Sequence, residues 1–290
     1  MKKIVIPVIT LLSFILSACN DVNQKTMNDG EAQTLLTEAV IAYNIFSTSQ
    51  EEATRTALQV ENSLKSGLIT STDYPQITVN TSDLTTWPKT IKLDYGPENI
   101  TGIDGHERRG VMIITAQNFP SVENAVWIIN FDEYYADDNK VEGTQTIKYR
   151  GTNANDHPEY TCTLTDGVIT TPENKKFYFE QQTTREWISG YDTQFALTGN
   201  QEDLCDDDYV ITGTHGGISS DGYTYTMSTT EPLKVNVCCK WIEDGKLTVE
   251  LDDAELNCEI DYHTGAETGS LCNDQATFTI FGVTLPITLP

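Results

Sequence analysis

Residues 91–110 read IKLDYGPENITGIDGHERRG, and the order of side chains in this stretch indicates how the chain folds. Leu93 and Tyr95 share one face of an extended strand while polar residues take the other, which is the alternation of a half-buried β-strand. The Asp104-Gly105 pair predicts a turn before the apolar run 111–114. A related segment at residues 258–274, CEIDYHTGAETGSLCND, keeps the Asp-Tyr strand end with different flanking side chains. We therefore interpret the stretch as strand, loop, turn and strand, flanked by the charged residues 106–109, and not as an active-site loop.

The same alternation recurs towards the C-terminus. Residues 246–252, KLTVELD, place Leu and Val on one face of a strand and polar residues on the other. Residues 278–289, FTIFGVTLPITL, predict a hairpin that turns at Gly282, and Pro286 places its last strand at a sheet edge. We therefore expect a mainly β fold of antiparallel meander or sandwich-like sheets, with β-rich subdomains at residues 76–200 and 201–290.

A helical segment is expected at residues 31–69, before the strands. Apolar residues recur there at helical spacing, first in residues 35–46 and then in residues 53–64. Ser49 is a plausible cap for the second stretch, and Gly67 is a plausible stop. The pattern predicts one interrupted helix or a helical hairpin whose apolar stripe packs on the sheet, with a partner-binding helix as the alternative.

The N-terminus is typical of an exported, lipid-modified protein. Lys2 and Lys3 precede an apolar run, residues 4–16, that is too short to span a bilayer. The following Leu-Ser-Ala-Cys sequence matches a lipobox, which predicts a signal peptide at residues 1–18 and lipidation of Cys19. Residues 19–30 then form a lipidated tether. An Asp directly after the lipidated Cys is a signal for retention in the inner membrane. Asn20 occupies this position here, which favours the outer membrane. The sequence does not predict which face of that membrane the protein is exposed on.

The composition limits the possible partners. The chain has 43 acidic and 18 basic side chains, for a formal net charge of −25. Such a chain repels phosphate backbones and anionic headgroups, so we expect no nucleic-acid partner and membrane contact through the lipid alone. A glycan or another envelope protein remains a possible partner.

Six cysteines besides Cys19 suggest disulfides in an exported protein. Strand parity points Cys239 inward and its neighbour Cys238 towards solvent, and it groups Cys258 with inward residues. The sequence does not rank the 15 complete pairings. The disulfide candidates are Cys162, Cys205, Cys239, Cys258 and Cys272.

No catalytic motif is found, and we expect no enzyme and no catalytic residue. The chain has no G-x-S-x-G sequence, and its four histidines are scattered; His215 is interpreted as a polar loop residue. Calcium is the only cofactor considered, because clustered carboxylates suit a hard cation. The weak candidates for calcium ligands are Asp137, Asp138, Asp206, Asp207 and Asp208. Their spacing does not follow the order of ligands in an EF-hand.

Aromatic side chains could serve as platforms for a sugar ring. The four tryptophans lie in or beside apolar strand runs, which favours core packing. Tyr134, Tyr135, Tyr223 and Tyr225 are the surface candidates for glycan binding.

Several of these segments together resemble a family of uncharacterised lipoproteins from Bacteroidetes. The resemblance rests on the lipobox, IKLDYG with IDGHERRG, the VEGT strand, the WISG and KWIEDG turns, and the ending CEIDY with LCNDQATFTIFG. It covers most of the chain from about Trp87 onward and implies architecture and habitat only. Thr101-Gly102 and His263 depart from the family pattern, so no disulfide pattern is carried over.

These observations lead to one functional expectation with two alternatives. We expect a lipid-anchored cell-envelope protein with a non-enzymatic role in binding, adhesion or envelope structure. The first alternative is a carbohydrate-active enzyme with a pair of carboxylates. The second alternative is a subunit of an outer-membrane surface assembly, docked through the N-terminal helices or the Pro286 edge strand.

Overall fold

A computed structural model describes residues 27–66, 75–193, 201–251, 254–263, 271–280 and 282–289. Within these ranges the chain forms one long helix followed by fourteen strands. The helix is α1 (Asp29–Ser66), and the strands are β1 (Gln76–Val79), β2 (Lys89–Asp94), β3 (Ile100–Thr101), β4 (Glu107–Ala116), β5 (Val126–Ala136), β6 (Asn139–Thr152), β7 (Pro158–Thr170), β8 (Lys176–Ser189), β9 (Asp208–Ile218), β10 (Thr224–Asn236), β11 (Asp244–Leu251), β12 (Ala254–Asp261), β13 (Gln275–Ile280) and β14 (Val283–Thr288). One turn of 3-10 helix, Gln201–Leu204, precedes β9.

The strands form a single open antiparallel sheet in chain order, from β1 to β14, with the short β3 paired to β4 beside this path. This arrangement confirms the predicted mainly β meander with an N-terminal helical segment. The hairpin of β13 and β14 forms one end of the sheet, so Pro286 lies in an edge strand. The sheet also continues across residues 200–201, because β8 and β9 pair from Tyr178↔Ile218 to Ser189↔Asp208.

The helix α1 is continuous, which corrects the expectation of an interrupted helix or a helical hairpin. Asn28 and Glu31 exchange side-chain to backbone hydrogen bonds of 3.1 and 2.9 Å, the reciprocal pattern of a capping box at the first turn. Thr48 and Ser49 donate their hydroxyls to carbonyls four residues earlier, at 2.8 and 2.7 Å. Both hydroxyls are thus satisfied within the helix, and Ser49 does not cap a second helix.

The sheet surrounds the middle of the helix. Residues 42–46 are all buried, and five consecutive residues at about 100° each cover every side of a helix. Phe46 contacts Phe131 of β5 and Phe179 of β8, and Tyr43 contacts His215 of β9. The helix is therefore the core that the sheet wraps, and it takes the place of a second packing sheet.

One row of inward side chains crosses the sheet beneath the helix. Its register positions are Ile91, Ile114, Ile129, Gln145, Leu164, Gln181, His215, Met227, Val249, Cys258 and Ile280. Most of the row is apolar, but three polar residues stand in its centre. Gln145 uses its amide to donate to the carbonyl of Phe46 at 2.8 Å, so part of this polarity attaches the sheet to the helix backbone.

Two buried glutamates attach the helix to loops near its two ends. Glu38 accepts hydrogen bonds from the backbone N–H and the hydroxyl of Ser220, and Glu61 does the same for Ser121. The two glutamates are 23 positions apart, which is roughly 35 Å along a helix. The helix is thus held near both ends by the same interaction, on β-turn segments that precede β10 and β5.

The structure pairs Cys205 with Cys238 and Cys239 with Cys272, at Cα separations of 5.0 and 5.6 Å. Cys238, which strand parity had excluded, is bonded because β10 ends at Asn236 and alternation no longer applies beyond it. Cys162 and Cys258 are free and buried, which corrects their place among the disulfide candidates. They lie on β7 and β12, five strand spacings or roughly 24 Å apart along the sheet, too far for a bond.

Candidate functional site

A cleft opens between the middle of α1 and the loop that joins β10 to β11. Its space of about 370 Å³ is mostly open to solvent, and the enclosed part has room for about one water-sized group. The lining residues used below are Glu51, Asp104, Arg185, Lys240 and Trp241. Asp104 precedes β4 while Lys240 and Trp241 follow β10, so the curling of the sheet brings together loops that are far apart in the chain.

Both disulfides converge on the loop that forms one wall of this cleft. Cys238 and Cys239 are adjacent, and each is bonded to a different segment, Cys205 before β9 and Cys272 before β13. Cys239 itself lines the cleft. The covalent bonds therefore fix the loop that carries Lys240 and Trp241 relative to the segments before β9 and β13.

Arg185 is the buried cation of the cleft, with 3% of its surface exposed. Its two terminal nitrogens donate to the carbonyl of Ser47 at 3.2 Å and to Glu51 at 2.9 Å. Its planar guanidinium also lies 4.2 Å from the ring centre of Tyr209. No acceptor for the buried Nε is present among the residues that the structure describes.

The two carboxylates of the cleft have opposite pKa shifts. Burial raises the pKa of Glu51, and the charges of Arg185 and Arg55 offset only part of this effect. Burial acts in the same direction on Asp104, but hydrogen bonds and charge from Arg108 outweigh it and hold its pKa at about 2. Asp104 is therefore a fixed negative charge, whereas Glu51 is the group whose protonation is easier to change.

Asp207 lies near this network but does not line the cleft. It is buried and accepts a hydrogen bond from the indole N–H of Trp187 at 3.2 Å. Burial, together with the negative charges of Glu51 and Asp206, raises its pKa to about 7. The sequence suggested Asp207 as a weak calcium candidate, and in the structure its carboxylate accepts the Trp187 N–H.

The other calcium candidates also have protein partners. Asp137 accepts from the His106 ring at 2.6 Å and from the backbone N–H of Glu107, and Asp138 pairs with Arg109. Asp206 accepts from Thr193 at 2.8 Å, and Asp208 accepts from Asn236 at 2.8 Å. Within the described ranges no group of three or more His, Cys, Asp or Glu side chains is arranged to hold a metal ion.

Most of the tyrosines proposed for glycan binding are buried in the structure. Tyr134, Tyr223 and Tyr225 are buried, which corrects their assignment to the surface. Trp241 is half-buried and packs against the core, as the sequence predicted, and it also lines the cleft.

Sequence reasoning missed Glu51, Arg185 and Trp241 as a group. The burial of Arg185 could have been predicted from the sequence, because Arg185 lies on the same face of its strand as Phe177 and Phe179. Its partner on the helix, Glu51, could not have been predicted, because the two residues are 134 positions apart in the chain.

The free thiols show no reactive environment. Burial raises the pKa of Cys162 to about 12 and that of Cys258 to about 11, so both stay protonated and weakly nucleophilic at neutral pH. Cys162 instead accepts a hydrogen bond from Gln181 at 3.1 Å. These cysteines are packing residues of the core.

No protein-family model, no curated protein and no solved structure matches this chain. In the described part of the chain, no helix combines the length and apolar character that crossing a membrane requires. Cys19, the signal peptide and residues 19–26 of the tether lie outside the described residues, as do residues 67–69 of the expected helical segment.

Proposed function

We propose that this chain is a lipid-anchored, outer-membrane binding protein of the cell envelope, with the cleft beside α1 as its ligand site and no catalytic role. The observation that supports the site is a concave surface that brings together two carboxylates, a half-buried tryptophan and a buried arginine whose Nε–H has no acceptor in the described part of the chain. Ligand sites commonly combine a concave surface with a few convergent polar groups. The lipobox at Cys19 supports the anchor.

The arrangement of charges favours binding over reaction. Glu51 is held by Arg185, and Asp104 is held by Arg108, so each carboxylate is already oriented by a guanidinium. Charged groups held in this way present a fixed pattern of donors and acceptors to a ligand.

The anchor is tested by labelling cells with an alkyne fatty acid. We expect the wild-type protein to carry the label and to fractionate with membranes, and Cys19→Ala to lose both properties. Cys162→Ala, which removes a buried thiol, is the matched control and should behave as wild type. Membrane fractionation of an unlabelled Cys19→Ala protein would contradict the proposed anchor.

The binding role is tested by thermal-shift measurements on the full-length protein in detergent, with panels of organic acids, amines and saccharides. A ligand that binds only the folded state raises its stability by about 2.7 kcal/mol at one hundred times its Kd, so a binder gives a clear shift. Absence of a shift in all three panels would contradict a binding role for the cleft.

A second candidate function is a carbohydrate-active enzyme, favoured by the opposed pKa shifts of Glu51 and Asp104 in one cleft. Such a pair can divide the roles of general acid and base. Hydrolysis of chromogenic glycosides that disappears in Glu51→Gln, while the fold is retained, would support this alternative over pure binding.

A further inference from the structure

We infer that the hairpin of β13 and β14 is a second membrane contact, which lays Val283 and Leu285 against the bilayer that holds the lipid of Cys19. This inference rests on the proposed lipid anchor and adds a contact to it. It follows from the composition of the hairpin, the exposure of its inner face, its position at the same end of the molecule as the start of α1, and the length of the tether.

The hairpin is uncharged in a strongly charged chain. Residues 275–290, QATFTIFGVTLPITLP, contain no charged side chain, whereas 21% of the residues in the whole chain are charged. The two residues between the strands are Phe281 and Gly282, although turns commonly carry polar side chains. The net charge of −25 repels anionic headgroups, but the side chains of this hairpin contribute nothing to that repulsion. The hairpin is therefore the segment of the sheet best suited to approach a bilayer.

The apolar inner face of the sheet extends beyond the core at this hairpin. Leu285 is the cross-strand partner of Phe278, and such partners lie on the same face of a sheet. Val283 pairs with Ile280 in the same way. Phe278 is buried, with 6% of its surface exposed, but Leu285 and Val283 are 50% and 56% exposed. The last strand thus presents two neighbouring apolar side chains to the surroundings of the protein.

Addition of another strand to β14 is disfavoured. The N–H of Leu289 donates to the carbonyl of Asp274 at 2.7 Å, so the odd-numbered residues before it direct their backbone groups towards β13. The even-numbered residues direct theirs to the free edge, and the central one is Pro286, which has no N–H. A second copy of the chain or a peptide would lose a hydrogen bond at this position. An apolar surface without backbone donors or acceptors, such as a bilayer, suits the hairpin better.

The hairpin turns at the same end of the molecule at which α1 begins. An antiparallel meander turns at alternate edges, so the turn after β13 lies at the same edge as the turn between β9 and β10. That second turn contacts the first part of α1, because Ser220 donates to Glu38. The hydroxyl of Tyr223 also donates to Glu31, at 2.9 Å. The hairpin and the segment that leads to Cys19 therefore lie at one end of the helix.

The tether keeps this end of the molecule near the bilayer. Cys19 is ten positions before Asp29, where α1 begins, so the two residues are at most roughly 36 Å apart. The helix has 38 residues and is roughly 57 Å long, so its other end can lie much further from the bilayer. A lipid that confines the protein to the membrane also raises the effective concentration of the hairpin there. A small apolar patch is then sufficient for contact.

The test measures lipid contact at single positions of the full-length protein, reconstituted into phosphatidylcholine vesicles. Val283→Cys and, separately, Leu285→Cys are labelled with a fluorophore, and its quenching by lipids brominated on their acyl chains is recorded. Val122→Cys is the matched control, because Val122 is an exposed valine on the loop before β5, near the other end of α1. The free thiols of Cys162 and Cys258 are buried, and labelled wild type gives the background.

We expect lipid to quench both hairpin probes at least about twofold, because an apolar face at a membrane surface lies about 5–10 Å into the boundary between headgroups and acyl chains. The Val122 probe should not be quenched. Added salt should leave the quenching unchanged, because the contact is apolar and not ionic. Circular dichroism checks that every variant is folded.

Flotation of the same vesicles separates this inference from the proposed anchor. Protein that floats with unquenched hairpin probes would overturn the second contact and leave the anchor intact, and sedimentation as a dimer would then assign the hairpin to a second copy of the chain. Protein that does not float would overturn both proposals. Equal quenching at Val122 and Val283 would overturn the assignment of the contact to the hairpin. Floating protein with quenching confined to Val283 and Leu285 supports the inference.

Discussion

His215 shows how far a single residue can depart from what its neighbours in the sequence suggest. Its glycine neighbours predicted a polar loop, but the residue lies in the middle of β9 with 2% of its surface exposed. Its ring stacks on Phe179 and meets the edge of Tyr43. A Cβ at Gly217 would lie 2.3 Å from the carbonyl of Tyr178 and 2.6 Å from the Tyr225 hydroxyl. The glycine permits close packing, and it does not mark a turn.

The burial of His215 predicts that the stability difference between wild type and a His215→Phe variant depends on pH. Burial lowers its pKa from 6.5 to about 4, so the unfolded state binds more protons between these values. The stability that the neutral ring confers is complete above pH 6.5 and is lost as the pH falls towards 4, by roughly 3 kcal/mol. We expect His215→Phe, which also removes two nitrogens without partners among the described residues, to exceed wild type in stability by more at pH 4.5 than at pH 7.5.

Urea unfolding of both proteins at the two pH values measures this difference. Asp207 contributes with the opposite sign, because its raised pKa makes the folded state bind more protons between pH 3.8 and about 7. That contribution is present in both proteins, so it cancels in the comparison. An equal stability difference at pH 4.5 and 7.5 would show that the His215 ring is not the titrating group.

At the scale of elements, the strands were predictable and the helix was predictable only in part. Alternation in segments such as residues 246–252 reports which side chains face inward, and this is a local property. Continuity of α1 through residues 47–49 depends on packing of the helix inside the sheet, and the loops at 237–243 depend on where β10 ends. Neither feature has a local period, because both are decided by the surroundings.

The two glutamate contacts of α1 predict equal and additive losses of stability. We expect Glu61→Ala and Glu38→Ala each to lower the free energy of unfolding by about 1.5–3 kcal/mol, because each removes two hydrogen bonds that a serine donates to a buried carboxylate. The sites are far apart, so the double variant should show the sum to within about 0.5 kcal/mol.

Chemical denaturation of the three variants measures these losses, with Glu180→Ala as the matched control. Glu180 is an exposed strand residue, and its removal should change stability by less than about 0.5 kcal/mol. Losses no larger than that of the control would mean that the two contacts do not hold the helix.

At the scale of the whole molecule, the sequence predicted a β-rich chain but not its enclosure of a helix. The sequence predicted β-rich subdomains divided between residues 200 and 201, and no local signal shows that β8 and β9 pair across this division. The cleft depends on this global winding, since it joins a residue of α1, a turn before β4 and a loop after β10. A site assembled from such distant segments can be recognised only from the folded structure, in which the open sheet curls around the helix.

One helix in contact with both halves of the sheet predicts a single unfolding transition. Glu61 binds the loop before β5, Glu38 binds the turn before β10, and Phe46 packs against β5 and β8, so neither β-rich half has a core without α1. We expect calorimetric and van't Hoff enthalpies to agree, and far-ultraviolet and tryptophan signals to change at the same temperature. A fragment of residues 76–200 expressed alone should fail to fold, because its apolar inner face would be exposed to water. Two separate transitions, or a folded fragment, would show that the halves are independent domains and that α1 only bridges them.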